Sequence, residues 1–134
     1  MSEVLIATDA DWIYEEVDAA LADESTQVLR ARSGQEVPDL VREHDPDLIV
    51  LDLQIGNMGG IATFLHLDQE AEDGRLPTVP VLLLLDRPAD VPLARRAGVD
   101  GWLIKPLDAF RIRRAAQELM DGRTYEEPSG LASV

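Results

Sequence analysis

The chain has 134 residues and a formal net charge of −14 at pH 7, from 26 acidic and 12 basic side chains. This length favours a single domain, and the acidic balance argues against a nucleic-acid surface, since phosphate backbones attract clustered lysine and arginine. The absence of cysteine excludes disulfide bonds and cysteine-ligated metals. No apolar run is long enough to predict a membrane span or a signal peptide, so a cytoplasmic protein is expected.

Five short apolar runs predict β-strands. The first, third and fourth are continuously apolar, which is typical of strands buried on both faces of a sheet. Helical patterns separate all five runs, and this alternation predicts a doubly wound parallel sheet with crossover helices on both sides. In chain order, the runs cover residues 4–7, 27–31, 48–51, 81–85 and 101–104.

The first two helices are predicted from their start signals. The first begins near Asp11, whose carboxylate can cap the free amides of the first turn. The second is preceded by Ser33 and Glu36, which have the spacing of a capping box. Pro38 would remove a hydrogen bond from a helix that starts there. This helix is therefore predicted to begin one turn later, with the proline in its first position.

The third helix is predicted to run from Gly60 to a point before Gly74. Its apolar residues Ile61, Phe64 and Leu65 are expected to face the core, because they lie close together on one side of a helix with a period of 3.6 residues.

The last two helices differ in the strength of their signals. The fourth should be short or displaced, because Pro88 and Pro92 leave little more than residues 93–97 for it. The fifth has Asp108 as its cap, and the predicted domain, residues 1–122, ends shortly after it. Residues 123–134 are predicted to be a flexible tail. The apolar stripe of the fifth helix consists of Ile112, Ala116, Leu119 and Met120.

Polar residues follow or end several of the predicted strands. Ligands of an open parallel sheet bind outside the carboxyl ends of its strands, so these residues are the candidates for a site. By topology, two carboxylates and a lysine are expected to converge there. The residues are Thr8 and Asp9 after the first strand, Asp52 at the third, Leu85 and Asp86 at the fourth, and Lys105 and Pro106 at the fifth.

Asp9, Asp52 and Lys105 have the residue types of a site for phosphoryl chemistry. Two carboxylates can share Mg²⁺, with water and a backbone carbonyl completing the octahedron. A carboxylate beside such a cation can attack phosphorus, and a lysine can pair with it. Taken singly, each residue has a plainer interpretation, as a helix cap, a strand terminator or an exposed base. Their joint position at the ends of adjacent strands favours a site.

Several segments resemble the bacterial response-regulator receiver domain of two-component systems, over about residues 3–121. The loop after Asp52 and the segment that leads to Lys105 are the most specific parts of the resemblance. The matching segments are residues 6–9 (IATD), 51–60 (LDLQIGNMGG), 97–102 (AGVDGW) and 105–106 (KP).

The resemblance implies a flavodoxin-like sheet of strand order 2-1-3-4-5 and a phosphorylation switch. It implies that Asp52 is the phosphoacceptor, that Asp9 and the backbone carbonyl of Gln54 help to hold Mg²⁺, and that Lys105 contacts the phosphoryl group. The peptide bond before Pro106 is expected to be cis. The implied partners are a histidine kinase or phosphotransfer protein and a downstream protein.

Several positions depart from the family pattern. Thr8 replaces the first of two acids, which removes a negative charge and weakens the Mg²⁺ site. Leu85 replaces a serine or threonine, so no hydroxyl can bond a phosphoryl oxygen and move the loop. Trp102 is either the aromatic switch residue of the fifth strand or a surface or interface aromatic. Asp86 would repel a phosphoryl group unless it points away or acts as an accessory ligand, and Asp11 is a second accessory acid.

The face formed by the fourth helix, fifth strand and fifth helix is the expected output surface. It carries a basic cluster, which is either ordinary helix solvation or a contact surface. As a contact surface, it would bind an acidic partner or form a symmetric homodimer with ion pairs between subunits. The cluster consists of Arg95, Arg96, Arg111, Arg113 and Arg114.

Three functions remain in view. The first is a phosphoacceptor, the second is an atypical pseudo-receiver that acts as a phosphorylation-independent interaction module, and the third is a phosphohydrolase. The enzyme is the weakest, because Gln54 rather than a general acid follows Asp52 by two positions, and no phosphate loop or catalytic triad is present. The sequence therefore predicts an atypical stand-alone receiver with a phosphorylatable Asp52 and impaired switching.

Overall fold

The structure is a computed structural model that describes residues 1–56 and 58–128. Strands and helices alternate along this part of the chain, and none of its helices combines the length and the apolar composition of a membrane span. The strands are β1 (Ser2–Ala7), β2 (Thr26–Ala31), β3 (Leu48–Asp52), β4 (Val81–Leu85), β5 (Gly101–Ile104) and β6 (Tyr125–Glu126). The helices are α1 (Asp11–Leu21), α2 (Val37–His44), α3 (Gly60–Glu72), α4 (Val91–Ala97) and α5 (Ala109–Met120).

The strands form one parallel sheet in the order β2-β1-β3-β4-β5-β6. Two apolar layers cover its faces, one built with α1 and α5 and the other with α2, α3 and α4. β3 and β4 are buried along their whole length, as expected for central strands between two helical layers. The strand order reverses between β1 and β3, which places a cleft at their carboxyl ends.

The sixth strand is a correction to the predicted five-stranded sheet. Tyr125 and Glu126 pair with Gly101 and Trp102 of β5, inside the segment that was predicted to be a flexible tail. The prediction missed this strand because two paired residues are too few to produce an apolar periodicity. Residues 129–134 of the predicted tail, and Asn57 in the loop after β3, lie outside the described residues.

Two details of the predicted helices are wrong. Ala10, not Asp11, holds the N-cap position of α1, and the Asp11 carboxylate lies 2.9 Å from Nη1 of Arg30 on the neighbouring strand β2. Leu65 is 49% exposed, whereas Phe64 and Leu67 of α3 are buried. An α-helix turns about 100° per residue, so the side chain after Phe64 already points away from the sheet.

The other helix predictions are confirmed. Ser33 and Glu36 form a capping box, which opens a 3₁₀ turn, and α2 follows with Pro38 in its first turn. The fourth helix is short, because α4 has only 7 residues. Asp108 caps α5 by accepting a hydrogen bond from the backbone N–H of Arg111 at 2.9 Å.

Candidate functional site

Asp52 lies at the carboxyl end of β3 and is 1% exposed. Its Oδ1 accepts hydrogen bonds from Nζ of Lys105 at 2.8 Å and from the backbone N–H of Gln54 at 3.1 Å. Its Oδ2 accepts one from the Thr8 hydroxyl at 2.7 Å. Three elements of the fold thus converge on this side chain. Their hydrogen bonds stabilise it, because a buried carboxylate without partners would be costly.

Lys105 follows β5, and its ammonium group joins two carboxylates. Nζ lies 2.8 Å from Asp52 Oδ1 and 2.7 Å from Asp86 Oδ1. Burial lowers the pKa of this ammonium, but the hydrogen bonds to the two aspartates outweigh burial and raise the pKa above its ordinary value. Lys105 is therefore charged throughout the physiological range. The peptide bond between Lys105 and Pro106 is cis, as the resemblance implies.

Asp86 takes part in this network rather than pointing away from it. Its Oδ2 accepts a hydrogen bond from Nε2 of Gln54 at 2.5 Å, while Oδ1 binds Lys105. The expected repulsion of a phosphoryl group is thus only part of its effect, because the same carboxylate also shares the Lys105 ammonium with Asp52. This shared contact could not be predicted, since nothing in the sequence pairs an acid with a lysine 19 positions away.

The contacts of Asp86 predict an acid-sensitive contribution to stability. Burial raises the pKa of its carboxyl, but the hydrogen bonds from Lys105 and Gln54 hold the pKa below its ordinary value of 3.8. The unfolded chain therefore binds more protons than the folded one near this pH, and stability falls as the pH falls. We expect Asp86→Asn to flatten the fall of the urea midpoint between about pH 5 and pH 2. Equal slopes in the variant and the unmodified protein would contradict this contribution.

Asp9 is exposed at the rim of the cleft. Its Oδ2 accepts a hydrogen bond from the backbone N–H of Gly56 at 3.0 Å, and a Cβ at position 56 would lie only 2.8 Å from this oxygen. Glycine is therefore the residue that lets the loop after β3 approach the carboxylate. This contact ties the loop to the end of β1.

The donor set at the cleft fits Mg²⁺, although it carries less charge than the family pattern. Mg²⁺ is commonly bound through one or two carboxylates with water in the remaining positions, and Asp9 and Asp52 supply two. Within residues 1–56 and 58–128, no group of three acidic, histidine or cysteine side chains has the arrangement of a metal site. Thr8 supplies a neutral hydroxyl, which already donates a hydrogen bond to Asp52.

The side chains of Leu85 and Trp102 lie on the face of the sheet that α4 covers. Both are buried, at 0% and 1% exposure, in the apolar layer that contains α4. The interpretation of Trp102 as a surface aromatic is therefore wrong. Its ring packs under the guanidinium of Arg95, and its Nε1–H donates a hydrogen bond to the backbone carbonyl of Glu127 at 2.7 Å.

Asp11 is not part of the cleft network, because its carboxylate binds Arg30 at 2.9 Å and Arg32 at 3.5 Å. Arg30 itself was not among the predicted site residues, yet its Nε and Nη2 both donate to the backbone carbonyl of Thr8 at 3.2 Å. An arginine within a half-buried strand is a signal that could have indicated such a role, since its charge must find a partner there.

Comparison with known proteins agrees with this geometry. The chain matches the model of the response regulator receiver domain over residues 4–117. Protein PilH of Pseudomonas aeruginosa is 25% identical over 122 residues, which cover 91% of this chain and 100% of that protein. The polar-differentiation response regulator DivK of Brucella ovis is 32% identical over 86 residues, or 64% of this chain and 69% of that protein.

The solved structures show the same fold. The chemotaxis response regulator CheY4 of Vibrio cholerae superposes with a TM-score of 0.77 at 23% identity, over 89% of this chain and 98% of that one. The match to the family model covers most of the chain and includes every residue of the cleft network. This protein therefore belongs to the response regulator receiver domain family of two-component signalling.

Proposed function

We propose that Asp52 is the phosphoacceptor of this receiver. The observation that supports the proposal is the contact between the buried Asp52 carboxylate and the Lys105 ammonium at 2.8 Å. A carboxylate oxygen of Asp52 forms a bond to phosphorus, while the bond between phosphorus and the donor breaks and the donor leaves with its electron pair. The ammonium of Lys105 then neutralises part of the charge on the phosphoryl oxygens.

Mg²⁺ is the proposed cofactor, held by Asp9, Asp52 and the backbone carbonyl of Gln54. When bound, it supplies positive charge for the phosphoryl oxygens, as in other phosphoryl transfer sites. Thr8 cannot add to the negative charge of this site, so its affinity for Mg²⁺ is proposed to be lower than that of a site with three acids. The Thr8 hydroxyl instead fixes the orientation of the Asp52 carboxylate through Oδ2.

The response to phosphorylation is proposed to differ from the usual family switch. Leu85 has no hydroxyl with which to bind a phosphoryl oxygen, and its side chain lies in the core. The polar residue beside it, Asp86, already holds Lys105 in the unmodified protein. A phosphoryl group on Asp52 would compete for the same ammonium, so we propose that the loop carrying Asp86 is the element that responds.

Receiver domains exchange signals with histidine kinases or phosphotransfer proteins and with downstream proteins, and we propose both kinds of partner for this chain. Arg95 and Arg96 are exposed on α4, and Arg113 and Arg114 are exposed on α5. These exposed members of the predicted basic cluster are open to an acidic partner, but Arg113 lies beside α1, near Leu21 and Asp23, rather than toward α4. Any self-dephosphorylation at Asp52 would be the only catalytic activity that we propose.

Treatment with a small phosphodonor tests the proposed phosphoacceptor. Incubation with acetyl phosphate and Mg²⁺ should add the mass of one phosphoryl group to the intact protein, and hydroxylamine should remove it, as expected for an acyl phosphate. Asp52→Asn should show no such addition. Asp86→Asn is the matched control, because it removes the neighbouring carboxylate and keeps Asp52.

The outcomes separate the alternatives. Modification of the Asp86→Asn protein but not of the Asp52→Asn protein supports the proposal. Unmodified protein in every case, with both acetyl phosphate and a phosphorylated histidine kinase, would overturn it in favour of a phosphorylation-independent interaction module.

A further inference from the structure

The edge of β5 holds a short extended segment of the same chain. Tyr125 and Glu126 run parallel to Gly101 and Trp102, and the backbone N–H of Tyr125 donates to the carbonyl of Asp100 at 3.2 Å. A Cβ at position 101 would lie 2.6 Å from the Tyr125 carbonyl oxygen. The absence of a side chain at Gly101 therefore allows the segment to reach the edge of the sheet.

Glu127 fixes the end of this segment. One carboxylate oxygen accepts a hydrogen bond from Nε of Arg111 at 2.7 Å, and the other accepts one from the backbone N–H of Ile104 at 2.8 Å. The backbone carbonyl of Glu127 accepts the Trp102 indole N–H. The hydrogen bond to Glu127 is the largest cause of a raised pKa at Arg111. β5 and α5 thus form a binding site for an extended segment that carries a carboxylate.

Arg111 also belongs to the face that was predicted to form a homodimer through ion pairs between subunits. In the structure this guanidinium already has its acid, because Glu127 of the same chain lies against it. Arg111 also donates to the backbone carbonyls of Ile104 and Pro106 at 2.7 Å, so its position is fixed by several contacts. An ion pair between subunits at Arg111 therefore requires that the segment with Glu127 first leave its own site.

We propose that this site accepts the same segment from a second copy of the chain, so that two copies form a dimer by exchanging Tyr125–Glu127. Every copy carries a ligand that fits the site, and the contacts at the site are the same in the monomer and in the dimer. The equilibrium between the two arrangements is therefore set by the connection between α5 and β6 and by the concentration of the chain. It does not depend on whether Asp52 accepts a phosphoryl group.

The connection between α5 and β6 decides which arrangement forms. It consists of residues 121–124, and Gly122 in it has a φ of +85°, a conformation that returns the chain to its own β5. Each copy also carries a net charge of −14, which opposes association. At about 0.15 M salt, charges more than about 8 Å apart are largely screened, so the proposal is tested at this ionic strength or above.

A pair of charge-reversed variants tests the exchange. In Arg111→Glu and in Glu127→Arg, residues 111 and 127 of one chain have like charges, so each variant alone should lose the ion pair. When the two variants are mixed, exchange of the segments restores an opposite-charge pair at both sites. We therefore expect a dimer in the mixture and monomers in the separate samples, measured by sedimentation velocity and native mass spectrometry. The double variant with both reversals restores the pair within one chain, so it is the control and should show the same oligomeric state as the unmodified protein.

The outcomes are decisive in both directions. A dimer that contains one copy of each variant supports the exchange. A mixture that stays monomeric overturns it, and so does a dimer formed by either single variant alone, because that dimer would not use the restored pairs.

A second variant serves if the reversed charges prevent folding. Proline cannot adopt the φ of Gly122, so Gly122→Pro should disfavour the turn and raise the dimer fraction with concentration. In a Trp12→Phe background, Trp102 is the only remaining tryptophan, and its emission should stay blue-shifted because the segment of the partner covers it. A monomer with red-shifted, quenchable emission would overturn the proposal, since the segment would then have left its site without entering another.

Discussion

Replacement of Lys105 by methionine is expected to lower the free energy of unfolding by about 3 kcal/mol, since loss of one partner leaves buried charge uncompensated. The Lys105 side chain is 13% exposed, and the carboxylates that it joins are 2% exposed at Asp52 and 28% exposed at Asp86. Methionine keeps most of the length of the side chain and removes the charge, so the effect is electrostatic rather than a loss of packing. Urea denaturation at pH 7 measures the difference.

Arg42→Met is the matched control for this prediction. Arg42 pairs with Asp39 at 2.9 Å, but the two side chains are 53% and 79% exposed. Solvent screens such a pair, so its loss should change the stability by less than about 1 kcal/mol. If Lys105→Met changed the stability no more than Arg42→Met does, the buried pair would not contribute to the fold as argued.

Thr8→Asp should make the stability of the protein dependent on Mg²⁺. Thr8 is 0% exposed, and its hydroxyl donates to Asp52 at 2.7 Å. A second buried carboxylate at this distance loses the hydrogen bond and adds like-charge repulsion, which we expect to cost about 3 kcal/mol in EDTA. Mg²⁺ binds the folded state with its added acid, so a concentration of about 100 times the dissociation constant should restore about 2.7 kcal/mol. Thermal and urea unfolding with and without Mg²⁺ measure this difference.

Thr8→Val separates the hydroxyl from the charge. It leaves Oδ2 of Asp52 without the bond from position 8 and should cost about 1–3 kcal/mol, with no larger response to Mg²⁺ than the unmodified protein shows. A Thr8→Asp protein that is as stable in EDTA as in Mg²⁺ would mean that position 8 does not face the cation site.

Much of the fold could be predicted because its signals are local. The continuous apolar run of β4 predicts a central strand, and the proline spacing before α4 predicts a short helix, as observed. The Asp108 cap and the apolar stripe of α5 are also properties of adjacent residues. β6 could not be predicted in this way, because two residues are too few to show a periodicity, although Tyr125 packs against the apolar layer that contains α5 and Glu127 binds the backbone N–H of Ile104.

Some features of the candidate site could likewise be predicted from the sequence, and others could not. That Asp52, Asp9 and Lys105 lie at the ends of strands follows from the sequence and the rules of parallel sheets. That Asp86 shares Lys105 with Asp52, at 2.7 and 2.8 Å, depends on the path of the loop after β4 and on the rotamer of a long side chain. Neither is encoded in the polarity of nearby residues.

The sequence by itself therefore determined the parallel sheet and the place of Asp52 on it, because apolar periodicity and strand topology fix which residues reach the carboxyl edge. Only the tertiary structure decided which charges pair there. Lys105 meets Asp52 across 53 positions and Asp86 across 19, and Arg111 meets Glu127 across 16. Such contacts depend on packing in three dimensions, because burial of a charge is unfavourable unless an opposite charge or a hydrogen-bond partner lies next to it.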